Sequence, residues 1–104
     1  MAIVDVTIIP IGTETPSVSK YVAKVQKVLQ AFEAEGKIRY QLTPMNTIIE
    51  GELSVLFDVI EAMHEVPFAE GVHRVATNIR IDDRRDVKRS MEYKVEKVTS
   101  LLNE

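Results

Sequence analysis

Ile3-Val4-Asp5-Val6-Thr7-Ile8-Ile9 runs into Pro10-Ile11-Gly12-Thr13, and Thr15-Pro16-Ser17-Val18-Ser19 then opens a long amphipathic segment. The first stretch alternates, with Val4, Val6 and Ile8 on one face and Ile3, Asp5, Thr7 and Ile9 on the other, the period of a half-buried strand. From about Ser17 to Glu35 the apolar residues Val18, Tyr21, Val22, Val25, Val28, Leu29 and Phe32 recur every three or four positions, the period of a helix, and Gly36 supplies a left-handed stop. A strand that ends in a Gly turn at a helix N-terminus leaves unpaired N–H groups beside the positive end of the helix dipole. Thr13, Thr15, Ser17 and Ser19 add hydroxyls that both donate and accept. Two readings stand side by side here: a seat for a small polar molecule, or a set of caps, since Thr/Ser followed by Pro is an ordinary helix start.

Further strands are expected at Ile38–Thr43 and, after the turn Pro44-Met45-Asn46, at Thr47–Glu50, closed by Gly51. A second helix covers about Ser54 to Glu65 through Leu56, Phe57, Ile60, Met63 and His64. Pro67 predicts a kink or separate turn over Val66–Glu70, ending at Gly71. Arg74–Ile81 reads as a fourth strand, with Val75, Thr77, Ile79 and Ile81 on one face. Beyond Asp82-Asp83 a last helix places Val87, Met91, Val95, Val98 and Leu102 on one stripe. The order βαββαβ predicts an α+β, ferredoxin-like fold. It has a four-stranded antiparallel sheet, two helices on one face and an extra C-terminal helix, in a single domain over residues 1–104. Such a sheet leaves its other face bare, here with Asp5, Thr7, Arg39, Gln41, Asn78 and Arg80 among Ile3 and Ile9. A mixed face and a spare amphipathic helix predict self-association.

Composition narrows the function. At 104 residues the chain can bury roughly 65% of its unfolded surface without staples. A net charge of −3 argues against nucleic acid or an anionic membrane as the main partner. The absence of cysteine excludes disulfides, zinc thiolates and Cys nucleophiles. MAIVDVTII has neither a basic n-region nor a long apolar h-region, and no apolar run approaches the length of a membrane span, so a cytoplasmic location is expected. RNA-recognition modules share the βαββαβ order but stack bases on sheet aromatics. The two central strands here have none.

Candidate chemistry is sparse. If Ile48 faces the helices, Glu50 points inward with it and needs a partner or a ligand's amino group; if Ile49 does, Glu50 is a solvated acid. Asp82 or Asp83 is expected to cap the last helix, with Arg84 and Arg85 paired to nearby acids; phosphate binding by either arginine is the other reading. Adjacent aspartates beside two arginines do not make a metal site. His64 and His73 lack metal-ligand spacing, and Ser17-Val18-Ser19-Lys20 matches a catalytic SxxK only by spacing. No nucleophile–base–orienter set assembles, which disfavours an enzyme.

Ile9-Pro10-Ile11-Gly12-Thr13 with Ser17-Val18-Ser19, Met45-Asn46-Thr47 with Glu50-Gly51, and Arg74 with Thr77 and Ile81-Asp82-Asp83-Arg84 together resemble the small single-domain thiamine-binding protein family. This is the YkoF-like group, also called MTH-type or YqgV-like. The resemblance spans essentially the whole chain. It implies a ferredoxin-like fold assembled into dimers or tetramers that binds thiamine or its hydroxymethylpyrimidine moiety without catalysis, and no further cofactor. An aminopyrimidine offers an amino donor beside ring-nitrogen acceptors. The implied site is Glu50 for the amino group, with Gly12, Thr13, Ser17, Thr47 and Thr77 for the ring nitrogens and a nearby carboxylate or the Tyr21 ring for a cationic thiazolium. In such a sheet the first and third strands are antiparallel neighbours. Thr47 is therefore expected close to Gly12–Thr13, with Glu50 about 10 Å further along at about 3.3 Å per residue. Two other readings remain: an oligomer acting only through protein contacts, and acid–base chemistry by Glu50 beside a hydroxyl.

Overall fold

Along β1 (Ala2–Ile11) the alternation becomes a buried face of Ala2, Val4 and Val6 and a half-exposed face of Ile3, Asp5 and Thr7. The structure, a computed structural model, describes all residues from Met1 to Glu104. The chain continues through α1 (Ser19–Ala34), β2 (Ile38–Leu42), β3 (Thr47–Gly51), α2 (Leu53–Ala69), β4 (Arg74–Asp82) and α3 (Met91–Leu102). The strands lie in the order β2-β3-β1-β4, each antiparallel to its neighbours. This is the expected ferredoxin-like α+β fold.

Helices α1 and α2 cover one face. Val25 and Leu29 of α1 and Leu56, Val59, Ile60 and Met63 of α2 close over Val4, Val6, Ile38 and Ile49 in one apolar cluster. Gly36 and Gly71 end the two helices at φ 75° and 92°, a region that favours glycine. Pro67 does not break α2, contrary to expectation. It sits buried in the last turn, where its missing N–H costs a single helical bond, and its carbonyl accepts from Glu70 and Val72 N–H.

The pairing Val4↔Ile49 and Val6↔Thr47 turns Ile49 and Thr47 toward the helices, and Ile48 and Glu50 to the opposite face. Arg39 and Gln41 pair with Glu50 and Ile48 there, and Asn78 and Arg80 with Thr7 and Asp5, so the open face has the expected mixed character.

The last helix differs from its expected bounds. Residues 83–90 are irregular, and Val87 lies outside α3. Ser90, extended at ψ 164°, is the N-cap and accepts from Tyr93 N–H at 3.1 Å, in place of Asp82 or Asp83. Arg84 grips Asp86 through Nε at 2.7 Å, and Arg85 grips Asp83 through a terminal nitrogen at 2.6 Å. Partners two residues apart point to different sides of a helix, so these ion pairs suit a non-helical chain. They hold the Asp83 and Asp86 carboxyls below the ordinary 3.8.

Candidate functional site

β1 outruns β3. Pairing between them stops at Val6↔Thr47, whereas β1 continues against β4 as far as Ile11↔Arg74. The β3-side edge of Thr7–Ile11 therefore has no strand partner, and a cavity of about 230 Å³ opens there. Val18, Tyr21, Val22, Val25 and Gln26 of α1 form one wall, and Leu42–Thr47 of the β2–β3 hairpin the other. Thr43 fixes that hairpin. Its hydroxyl donates to Asn46 Oδ1 at 2.6 Å and accepts from the N–H groups of Met45 and Asn46 at 3.3 and 3.0 Å. Pro10, which lacks an N–H, discourages strand addition along the open edge.

No charged side chain lines this cavity. Its polar lining is Thr7, Thr43, Asn46, Gln26 and Thr47; Gln26 Nε2 donates to Thr47 Oγ1 at 3.2 Å, and Gln26 Oε1 is buried without a partner. Gln26 was not among the residues singled out from the sequence. The signal was present, since Gln26 stands four residues after Val22 and three before Leu29, a polar residue at an apolar-stripe position.

The six residues expected to share a site do not converge. Thr47 lines the apolar cavity. Gly12, Thr13 and Ser17 line a separate, open cleft with Lys20, Tyr21 and Glu70–Arg74, and Tyr21 borders both spaces. Thr47 stands opposite Val6 rather than beside Gly12–Thr13, because the β2–β3 hairpin turns back before the end of β1. The expected proximity of Thr47 and Gly12 is therefore corrected.

In the open cleft Thr13 Oγ1 donates to Thr15 O at 2.7 Å, and Ser17 and Ser19 hydroxyls meet at 3.0 Å. The N-cap of α1 is Val18, with no side-chain bond, so these hydroxyls do not cap it as the alternative reading supposed. Lys24 Nζ reaches Glu70 Oε1 at 2.5 Å across the cleft's rim and holds that carboxyl below its ordinary value.

Thr77 bonds His64 Nδ1 at 2.6 Å between β4 and α2.

Glu50 follows neither expected course. Ile49 faces the helices, yet Glu50 is only 4% exposed, because α3 begins directly over it. Its Oε2 accepts from Met91 N–H at 3.1 Å and lies 4.0 Å from Arg39, which also pairs with Glu92. A carboxylate at the positive end of a helix is a favourable arrangement. Sequence periodicity could not show it, since α3 reaches the open face only through tertiary folding.

Helix α3 is held mainly at that end. Val95, Val98, Leu101 and Leu102 are exposed. The 49 Å long axis and the 15.2 Å radius of gyration, against about 13 Å for a compact chain of this length, reflect a molecule drawn out in one direction. No helix is long and apolar enough to cross a membrane.

The thiamine-binding protein family model matches residues 4–99. The chain belongs to the thiamine-binding protein family. Among this family member's relatives, YqgV of Bacillus subtilis is 72% identical over 102 residues, 98% of each chain. A Staphylococcus xylosus protein from the glkA 3′ region is 61% identical over 104 residues, covering 100% of this chain and 97% of that one. The crystal structure of hypothetical protein MJ1052 from Methanocaldococcus jannaschii superposes with a TM-score of 0.81 at 28% identity, over 94% of this chain and 95% of that one. The family is thus described as one of binding proteins, and its fold is the one seen here.

Proposed function

We propose that this thiamine-binding family member holds thiamine, or its hydroxymethylpyrimidine moiety, in the cavity between β1, α1 and the β2–β3 hairpin. It does so without turnover, in the cytoplasm, as a homo-oligomer. The observation that carries the reading is the lining: mostly apolar, with no charged side chain and with neutral hydrogen-bonding groups at Gln26, Thr47, Thr7, Thr43 and Asn46. A pyrimidine matches this, being a flat neutral ring with two apolar faces and a hydrogen-bonding edge. At about 230 Å³ the space is smaller than the ~300 Å³ lower end for drug-sized ligands, which favours one ring over two. A cationic thiazolium finds no counter-charge inside, so it stays at the mouth, and Tyr21, whose ring Lys20 Nζ already faces at 5.1 Å, is not its partner. The lining also lacks any His, Asp or Glu that would serve as a general base. In this reading Thr47 is the expected site residue that meets the ring, while Gly12, Thr13 and Ser17 contact what projects from the mouth, and Glu50 and Thr77 stay outside.

The oligomer rests on the exposed α3 stripe and the open sheet face. The same features favour the second reading, a homo-oligomer working through protein contacts alone.

The test is calorimetry and thermal shift with thiamine and hydroxymethylpyrimidine, on protein unfolded and refolded to strip any carried ligand. Binding to the native state raises stability by RT ln(1 + [L]/Kd). Heat and a shift with either compound support the first reading, and neither with both leaves the second. Light scattering at micromolar concentration is expected to give a multiple of 11.8 kDa, with Val98→Lys reducing it. A monomer mass for wild type refutes the oligomer.

A further inference from the structure

Four cations of this acidic chain gather round one concavity. On the open face of the sheet, where Ile3 pairs with Asp82, a cavity of about 210 Å³ lies between the strands and α3. Arg84, Arg89, Lys94 and Lys97 line it, against a single acid, Asp82. Lys94 Nζ neutralises that acid at 2.6 Å, and Arg84 is paired with Asp86, which lies outside the lining. Arg89 and Lys97 have no carboxylate partner. Arg89 is held in place all the same: its guanidinium carbon lies 4.5 Å from the centroid of the Tyr93 ring, and one terminal nitrogen donates to Lys88 O at 3.2 Å. The rest of its planar fork stays unpaired. Helix stability does not account for this placement. A helix favours cations at its C-terminal end, yet α3 has none in its last turn and carries Lys94 and Lys97 nearer its start. Like charges around one hollow repel each other unless an anion lies between them.

We propose that this cavity is a binding site for a phosphate dianion, free or as the monoester of a small molecule. It is separate from the cavity by Gln26 and Thr47, on the opposite sheet face and toward the other end of β1. A phosphate monoester carries about −1.5 to −2 charges near pH 7 and three acceptor oxygens, and the two unpaired cations supply the matching charge. The Arg89 fork takes two oxygens in parallel, and Lys97 meets the third as a point charge. Arg84 and Lys94 keep donors to spare beyond their own carboxylates. Ile3 and Tyr93 offer an apolar border to whatever the phosphate is attached to. The space is below the ~300 Å³ of a drug-sized site, which suits a compact ester. An extended polyanion is instead repelled by the net charge of −3.

The experiment follows backbone amide NMR shifts while inorganic phosphate, phenyl phosphate and phenyl sulfate are titrated at low salt into wild type, Arg89→Gln, Lys97→Gln and Lys88→Gln. Lys88 is a cation of the same segment outside this cavity, so its variant loses the same charge without touching the site. Melting of each free variant reports its folding. In wild type, shifts are expected at Arg89, Tyr93, Lys94 and Lys97 with inorganic phosphate or phenyl phosphate, and the tighter of the two tells whether the anion is free or esterified. Arg89→Gln and Lys97→Gln are each expected to weaken binding about ten- to a hundredfold, and Lys88→Gln by less than about twofold. Phenyl sulfate, with a single charge, is expected to bind more weakly than phenyl phosphate. Equal weakening by Lys88→Gln reduces the binding to diffuse attraction and overturns the site. Equal affinity for phenyl sulfate overturns the dianion. Shifts confined to other residues, or none with any compound at about 10 mM, overturn the proposal as a whole.

Discussion

Replacing Glu50 with glutamine tests whether this acid anchors α3. The substitution keeps the size of the side chain and one oxygen able to accept from Met91 N–H, and it removes the charge. A hydrogen bond to a charged group contributes about 1.5–3 kcal/mol and a neutral one about 0.5–1.5, so the difference is roughly 1–1.5 kcal/mol. The interaction of a carboxylate with a helix N-terminus adds about 0.3–1 kcal/mol, but it overlaps the first contribution, because the same N–H supplies much of the positive end. Arg39 adds little: it is 4.0 Å away with a side chain 56% exposed, and such pairs contribute about 0–1 kcal/mol. The expected loss is about 1–2 kcal/mol. Glu50→Ala is harsher, since it leaves a buried N–H without an acceptor, and α3 is then expected to leave the sheet. Urea unfolding at fixed protomer concentration reads the change. An m-value of about 1–3 kcal/mol/M converts it to a midpoint drop of roughly 0.3–2 M. Limited proteolysis should cut between β4 and α3 faster in both variants. Thiamine affinity is expected to be unchanged, because Glu50 lies on the sheet face opposite the cavity. Unchanged stability with a lost ligand response refutes the anchoring argument and returns Glu50 to the site.

Ser90→Ala is expected to cost about 0.5–2 kcal/mol as a lost N-cap, and Asp83→Ala measurably less, in denaturant melts; the reverse order would contradict the cap assigned to Ser90. The Lys24–Glu70 pair should make stability depend on pH. The Glu70 carboxyl is held below its ordinary 4.5 chiefly by its hydrogen bond to Lys24. Its contribution is therefore complete above 4.5 and is lost as pH falls through the lower folded value. The stability gap between wild type and Glu70→Gln should close on acidification, and a gap that widens would reverse the sign of this coupling.

The apolar periods of Ile3–Ile9 and Val18–Phe32, with Gly36 and Gly71 as stops, were enough to place β1, α1 and the order that follows, because burial of one face imposes its own period on a strand or a helix. The hydroxyls of Thr13, Thr15, Ser17 and Ser19 were legible as a polar junction, but not their partners, since each bonds within its own segment. Chain order alone does not set register. A shift of one residue reverses every side chain of a strand, and only the packing of Val4, Ile49 and Leu56 turned Ile49 inward and Glu50 outward. The start of α3 over Glu50, and the cavity where β1 continues past Thr47, likewise depend on where elements distant in sequence meet. Gln26 belongs to the same class: a polar residue in an apolar stripe by sequence, it gains its partner Thr47 only when α1 crosses the start of β3.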